Sequence, residues 1–154
     1  MTLKIKNKHI LTIDELDTKE IKHLLDYAIE LKKEHKKGKE NHILQNKTLA
    51  MLFEKPSTRT RVSFETGMFQ LGGNSLTLST NDLQLSRGET IADTTKALSR
   101  YVDVIMARVY DHEKLETISE YSNVPVINGL SNSYHPCQIL ADLMTIKEHK
   151  KKIQ

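Results

Sequence analysis

Four short strand-like runs, Thr48 to Phe53, Asn74 to Leu78, Val102 to Val109 and Pro125 to Asn128, alternate with longer segments whose apolar residues recur every three or four positions. Strands and helices in alternation predict parallel pairing, right-handed crossovers and helices on both sides of one sheet. The run from Val102 to Val109 is apolar at consecutive positions, as expected of a strand covered on both faces. The expected fold is therefore α/β, a three-layer domain with a parallel four-stranded sheet flanked by helices. A chain of 154 residues suits one such domain, which buries about 70% of the surface its unfolded form would expose.

The helices are expected over Thr18 to Lys37, Arg59 to Leu71, Thr90 to Tyr101, Leu115 to Tyr121 and Pro136 to Lys150. The first sets Ile21, Leu24, Leu25, Ala28 and Leu31 on one face, with Gly38 beyond its end. The third carries Ile91, Leu98 and Tyr101 toward the core. No internal repeat is visible. The polar stretch from Lys36 to Lys47 reads as a surface loop, and Ser79 to Gly88 is the longest segment without apolar periodicity. Loops of that length are uncommon unless they are functional.

Two strand-to-helix junctions carry the chemistry. After Phe53 come Glu54-Lys55-Pro56-Ser57-Thr58-Arg59-Thr60-Arg61. Ser57 and Thr58 are good N-cap types, and Arg59 and Thr60 then fall in a first helical turn whose N–H groups lack partners and whose dipole favours an anion. An arginine there opposes the dipole unless an anion compensates it. The alternative is a plain cap with both arginines in water. The second junction follows the Pro125 to Asn128 strand, where Gly129, Leu130 and a polar loop lead to His135-Pro136-Cys137-Gln138. Pro136 suits the first helical position, His135 the N-cap, and His135 and Gln138 can both donate to a carbonyl oxygen. A histidine that merely caps is the alternative. Arg108 ends the third strand, where a half-buried guanidinium calls for an anion unless it reaches solvent. In an open α/β sheet ligands bind beyond the carboxyl ends of the strands, which gives all three one neighbourhood.

The remaining composition narrows the classes. The net charge of +3 and the pI near 8.9 invite a nucleic-acid reading. The lysines, however, are mixed with glutamates, and no tryptophan or aromatic cluster is present for stacking bases. Solvated helix faces account for them. The seven histidines are scattered and the single cysteine, Cys137, has no partner at zinc-ligand spacing, so neither a metal nor a cofactor is expected. One cysteine also excludes an intrachain disulfide and suits a reducing compartment. The amino terminus has no apolar signal core and no apolar run approaches spanning length, so a cytoplasmic location without membrane contact is expected. Cys137 in a first helical turn suggests a depressed pKa and a nucleophile; a small apolar role is the preferred reading.

Ser57-Thr58-Arg59-Thr60-Arg61, Val62-Ser63-Phe64-Glu65, Gln84-Leu85-Ser86-Arg87-Gly88-Glu89-Thr90, Ala107-Arg108, Asn128-Gly129-Leu130 and His135-Pro136-Cys137-Gln138 occur in one order. With these, nearly the whole chain resembles the amino-terminal, carbamoyl-phosphate-binding half of the transcarbamoylases, the aspartate/ornithine carbamoyltransferase superfamily. Lys55 within Phe-Glu-Lys-Pro and Asn128-Gly129-Leu130 look like the ornithine branch. The resemblance implies transfer of a carbamoyl group from carbamoyl phosphate to the δ-amine of L-ornithine, giving citrulline and phosphate in arginine metabolism. It implies that Ser57, Thr58, Arg59 and Thr60 hold the phosphate, and that Arg108, His135 and Gln138, with Pro136 and Cys137 beside them, hold the carbamoyl group. Arg59, Arg108, His135 and Gln138 are the expected catalytic set, and Leu130 would offer its backbone to the amino acid's ammonium group. A homotrimer is implied in which Gln84 reaches the neighbouring site; Arg87 stands where the aspartate enzymes place a lysine.

The domain expected over 1–154 is thus the carbamoyl-phosphate-binding one, with 136–154 as the helix leading toward an absent ornithine-binding domain. On this expectation the chain binds carbamoyl phosphate weakly and makes no citrulline alone. Two other readings stay open here: the same domain from an enzyme of aspartate or another amine, and a non-catalytic phosphate- or nucleic-acid-binding module.

Overall fold

A computed structural model describes residues 5–80, 83–84 and 88–150. Its elements are α1 (Thr18–Lys36), β1 (Thr48–Phe53), α2 (Thr58–Gln70), β2 (Asn74–Ser79), α3 (Ile91–Leu98), β3 (Val104–Arg108), α4 (His112–Tyr121), β4 (Val126–Leu130) and α5 (Pro136–Lys150), after a single 3-10 turn at Ile13–Glu15. The four strands form one sheet in the order β2-β1-β3-β4, and every strand pair is parallel. This is the expected architecture.

The order fixes where a ligand can enter. The chain leaves β1 through α2 toward β2 on one side, whereas it leaves β3 through α4 toward β4 on the other. The connections after β1 and β3 therefore diverge, opening a crevice at their carboxyl ends, which is the topological switch point of such a sheet. Phe53 and Arg108 are register partners at that end.

β1 is buried along five of its six positions, and its side chains alternate between two cores. Ala50 and Leu52 join Val102, Ile105, Ala107, Val109, Leu115, Ile118 and Val126 on one face, with Ile91 and Leu98 of α3 packed against them. Leu49, Met51 and Phe53 join Met106 on the other, beneath Phe64 and Met68 of α2. The amino-terminal segment is tied to β4, where Ile10 donates to the Val126 carbonyl at 2.8 Å and accepts from the Asn128 N–H at 2.9 Å.

Several boundaries differ from expectation for local reasons. α3 is shorter at both ends, because Thr90 is its N-cap and accepts from the Asp93 N–H, and the chain leaves the helix at Ser99. Tyr101 is consequently 81% exposed instead of facing the core. α4 begins at His112, one turn earlier than the apolar residues suggest. β4 continues through Gly129 and Leu130. At Gly129 a Cβ would lie 2.2 Å from the Met106 sulfur, so any larger residue would force the buried Met106 side chain to move. The Lys36 to Lys47 stretch is a series of turns, and Gly72, with φ +83°, ends α2 in the left-handed conformation. Among the described residues no helix is long and apolar enough to cross a membrane.

Candidate functional site

The first half of the site is the opening of α2. Ser57 is the N-cap and its side chain accepts the Thr60 N–H at 3.3 Å. Thr58, Arg59 and Thr60 thereby become the first turn, which contains no acidic residue. The N–H groups of Thr58 and Arg59 have no partner within the helix. Arg61 points elsewhere: it pairs with Glu65 one turn on, at 3.0 Å. Arg59 is exposed, and among the described residues no carboxylate pairs with it.

Arg108 joins this opening to the sheet. It lies opposite Phe53 on one side and Leu130 on the other, and the register with β4 slips beside it, since Ala107 pairs with Asn128 but Arg108 with Leu130. Gly129 is the extra residue, and such a bulge re-aims the neighbouring side chain. The Arg108 Nη1 group donates to the Thr60 hydroxyl at 3.2 Å. Its Nε is buried with no partner. Burial first, and the charge of Arg59 second, lower its proton affinity. Arg108 thus feels a second guanidinium, that of Arg59, and among the described residues no carboxylate forms an ion pair with either.

The opening of α5 supplies the second half. Pro136 is buried at its first position and His135 precedes it, accepting the N–H groups of Gln138 and Ile139 at 3.1 and 3.2 Å. His135 Nδ1 is buried and unpartnered. Burial and then Arg108 lower the imidazole pKa, while Asp142 acts in the opposite sense. The influence of Arg108 on His135, and of Arg59 on Arg108, places all three in one electrostatic neighbourhood. The two helix openings converge.

A second link spans them. Lys55, between β1 and α2, donates to the Asn132 side-chain oxygen at 2.9 Å and sits 4.7 Å from the Tyr110 ring centre. Glu54 holds the same loop to the start of α4, accepting from the Tyr110 N–H at 2.7 Å and from Lys114. Burial pushes the Glu54 carboxyl up, but these donors outweigh it and keep it below its usual range.

Other expected residues are placed differently. Gln138 is exposed and donates to Asp142 at 2.9 Å, along its own helix and not toward Arg108. The Leu130 carbonyl accepts the Val109 N–H at 2.9 Å, so one lone pair belongs to the sheet. Cys137 Sγ lies 3.5 Å from the Asn128 carbonyl, and burial pushes the thiol up to about 11. Burial outweighs the helix terminus, and the thiol stays protonated at neutral pH. Gln84 is exposed and makes a turn with Glu89; Leu85, Ser86 and Arg87 lie outside the described residues. A cavity of about 330 Å³ lies beyond Glu54, lined by Leu52, Ile91, Val109 and Lys114 among others, and neither Arg59, Arg108 nor His135 borders it.

Sequence reasoning gave Lys55 and Asn128 no role beyond family pattern. A lysine in a turn carries no signal of its own. An asparagine at the end of an apolar strand does, and Asn128 is fully buried.

Residues 8–148 match the family described as aspartate/ornithine carbamoyltransferase, carbamoyl-P binding domain. The ornithine carbamoyltransferase of Anoxybacillus flavithermus is 56% identical over 153 residues, which is 99% of this chain and 49% of that protein. That of Cenarchaeum symbiosum is 59% identical over 152 residues, 99% of this chain and 50% of the relative. The solved structure of ornithine carbamoyltransferase from Pyrococcus furiosus superimposes with a TM-score of 0.95 at 54% identity, covering 99% of this chain and 49% of that one. The catalytic subunit of M. jannaschii aspartate transcarbamoylase gives a TM-score of 0.88 at 35% identity, over 95% of this chain and 48% of its own. The chain spans about half the length of the curated relatives it matches. By fold, by the order of its motifs and by these likenesses, the chain belongs to the aspartate/ornithine carbamoyltransferase family, within its carbamoyl-P binding domain.

Proposed function

We propose that this chain is the carbamoyl-phosphate-binding half of an ornithine carbamoyltransferase. The observation that carries this is Arg108 at the switch point, bonded to Thr60 of the α2 opening and repelled by Arg59, with no ion-paired carboxylate on either among the described residues. Water solvates the exposed Arg59, but Arg108, with its Nε buried and unpaired, lacks the compensating charge that an anion would supply. The first-turn N–H groups of Thr58 and Arg59, with the Ser57 and Thr60 hydroxyls, complete a phosphate cradle. Higher identity to the ornithine enzymes, 54% against 35% for the aspartate one, favours ornithine as the acceptor.

The chemistry needs no protein nucleophile. The uncharged δ-amine of ornithine attacks the carbonyl carbon of carbamoyl phosphate, a C–N bond forms, and the C–O bond to phosphate breaks as phosphate leaves with its electron pair and takes up the proton that the attacking nitrogen sheds. Arg108 and a neutral His135 donate to the carbamoyl oxygen where negative charge develops, which is catalysis by orientation and preorganised electrostatics. The lowered pKa of His135 favours the neutral ring, which keeps one ring N–H as its donor. Gln138 joins them by exchanging Asp142 for the carbamoyl amide. Pro136 and Cys137 shape the wall behind the group, and Leu130 meets the amino acid through its backbone.

Ornithine contacts come mainly from the second half that the relatives possess, toward which α5 leads. Alone, the chain binds carbamoyl phosphate and turns over no ornithine. A trimer of such chains in the cytoplasm is proposed, each Gln84 reaching a neighbouring site. The outer face of α2 and the edge strand β2 suit that contact, with Val62 53%, Phe69 81% and Leu76 47% exposed.

Titration of isotope-labelled chain with carbamoyl phosphate tests the proposal. Side-chain signals of Arg59, Arg108 and His135 are expected to shift together at concentrations where nucleotides and oligonucleotides do nothing. The reverse pattern sinks the proposal in favour of a nucleic-acid-binding module.

A further inference from the structure

Asn128 is a side-chain amide in β4 with no exposed surface. Burial of an amide is unfavourable unless its polar groups are paired. Its Nδ2 is paired twice, donating to the Leu11 carbonyl at 2.8 Å and the Tyr134 carbonyl at 3.2 Å, while Oδ1 has no partner. A half-satisfied amide packs less well than an apolar residue of the same size. Packing therefore does not explain the residue, and attention falls on what Nδ2 holds.

The Leu11 segment is already fastened to β4 by the two backbone bonds of its neighbour Ile10. The Tyr134 carbonyl differs, because it belongs to the peptide that delivers His135. That turn is closed locally by the Ser131 N–H on the same carbonyl at 3.0 Å and by the Tyr134 N–H on the Ser131 hydroxyl at 3.1 Å. The front of the turn is held at Ser131 and Asn132, by His112 on the Ser131 hydroxyl at 3.0 Å, by the Asn132 N–H on the Tyr110 carbonyl at 2.9 Å and by Lys55 on the Asn132 side chain. Asn128 holds its far end to β4 at two further points: its side chain holds residue 134, and its own carbonyl receives the Cys137 thiol at 3.5 Å. His135 lies between these two anchors.

We propose that Asn128 is a positioning residue for His135, its side-chain amide fixing the Tyr134 peptide and thereby the direction in which the imidazole leaves the turn toward Arg108. Asn128 touches no reactant itself. The assignment rests on the carbamoyl phosphate reading for its functional meaning but not for its geometry.

The test follows the His135 ring by NMR in the labelled chain, with pH and then with carbamoyl phosphate. In the unmodified chain the ring titrates below the ordinary histidine range and moves when carbamoyl phosphate is added. Asn128→Leu keeps the size and removes the donor; Asn128→Ser is smaller and shortens it. In either variant the ring is expected to titrate near the ordinary value of about 6.5, and carbamoyl phosphate to bind about tenfold more weakly. Added to His135→Gln, the same change should weaken binding no further, because the two residues act through one contact. A ring that titrates as before in a folded variant, or a full additional loss in the double variant, overturns the assignment.

If both variants fail to fold, the side-chain amide protons of Asn128 in the unmodified chain decide. They must shift with His135 when the ligand is added, and an unmoved amide rejects the proposal. Should His135 in the unmodified chain ignore carbamoyl phosphate, the functional reading fails instead, and the ring titration, which needs no ligand, still judges Asn128.

Discussion

The two helix openings that meet at Arg108 are built in opposite ways. The α2 opening is charged and wet: no residue of α2 is buried, Ser57 alone caps it, and Arg59 has no acidic partner among the described residues. The α5 opening is neutral and packed: Pro136 is buried, the Cys137 thiol is held protonated, and His135 is pressed toward its uncharged form. Cations that await an anion must keep water until it arrives, since an unpaired charge cannot be buried. A neutral donor has no such need and gains from being fixed, because a hydrogen bond acts only along its own direction. One site therefore joins a solvated half that supplies charge to a packed half that supplies geometry.

The largest expected effect breaks the comparison at its junction. Arg108→Met should weaken carbamoyl phosphate binding by about 10²-fold, the weight of a charge-assisted hydrogen bond to the ligand. The same change should leave the free chain as stable as before or more so, because it removes a half-buried cation repelled by Arg59 and an orphaned Nε. Calorimetry of binding and thermal unfolding, run on one variant, read the two directions separately. A variant that binds normally, or that loses both stability and binding, would show Arg108 to be structural.

Next in size is the reactivity of Cys137, which sharpens the contrast from the packed side. With its pKa pushed up to about 11 by burial, the thiol should react with a chromogenic disulfide at pH 8 about 10²-fold more slowly than an unhindered cysteine. Urea that unfolds the chain should abolish the difference. A rate equal to that of a free thiol would mean that the α5 opening is as wet as that of α2.

The solvated opening was legible in the sequence and most of the packed one was not. Ser57, Arg59 and Pro136 announce themselves because caps, first-turn charges and a helix-starting proline act within a few residues of chain. The four strands and five helices were readable for the same reason, apart from boundaries set by side chains such as Thr90 and Ser99 that cap locally. Gln138 turned to Asp142, and Tyr101 to solvent, because each direction depends on neighbours no pattern encodes. Gly129 packs against Met106 of another strand, and Asn128 is bonded to Leu11, 117 residues away in sequence. Contacts of that separation leave only a faint trace, a polar residue where an apolar one was due.

The smallest effect tests whether the two halves share one anion. Burial, then Arg108, lower the folded-state pKa of His135, so the unfolded chain takes up the proton first as pH falls. The associated stability is complete above the unfolded value of about 6.5 and is lost as pH drops through it toward the folded pKa. His9, lowered by burial and Lys8, contributes in the same sense. Glu54 and Asp103 have lowered pKa values, so what they contribute persists until more acidic pH. Denaturant melts at pH 7.5 and 5.5 should therefore differ, and His135→Gln should remove the part due to His135. Sulfate, which keeps both its charges across this window, should also shrink that part, because an anion beside Arg59 and Arg108 offsets the share of the lowering that Arg108 adds to burial. Chloride at equal ionic strength should not. An unchanged His135 step in sulfate would mean that an anion at the α2 opening is not felt at α5, and the two would be neighbours without being one site.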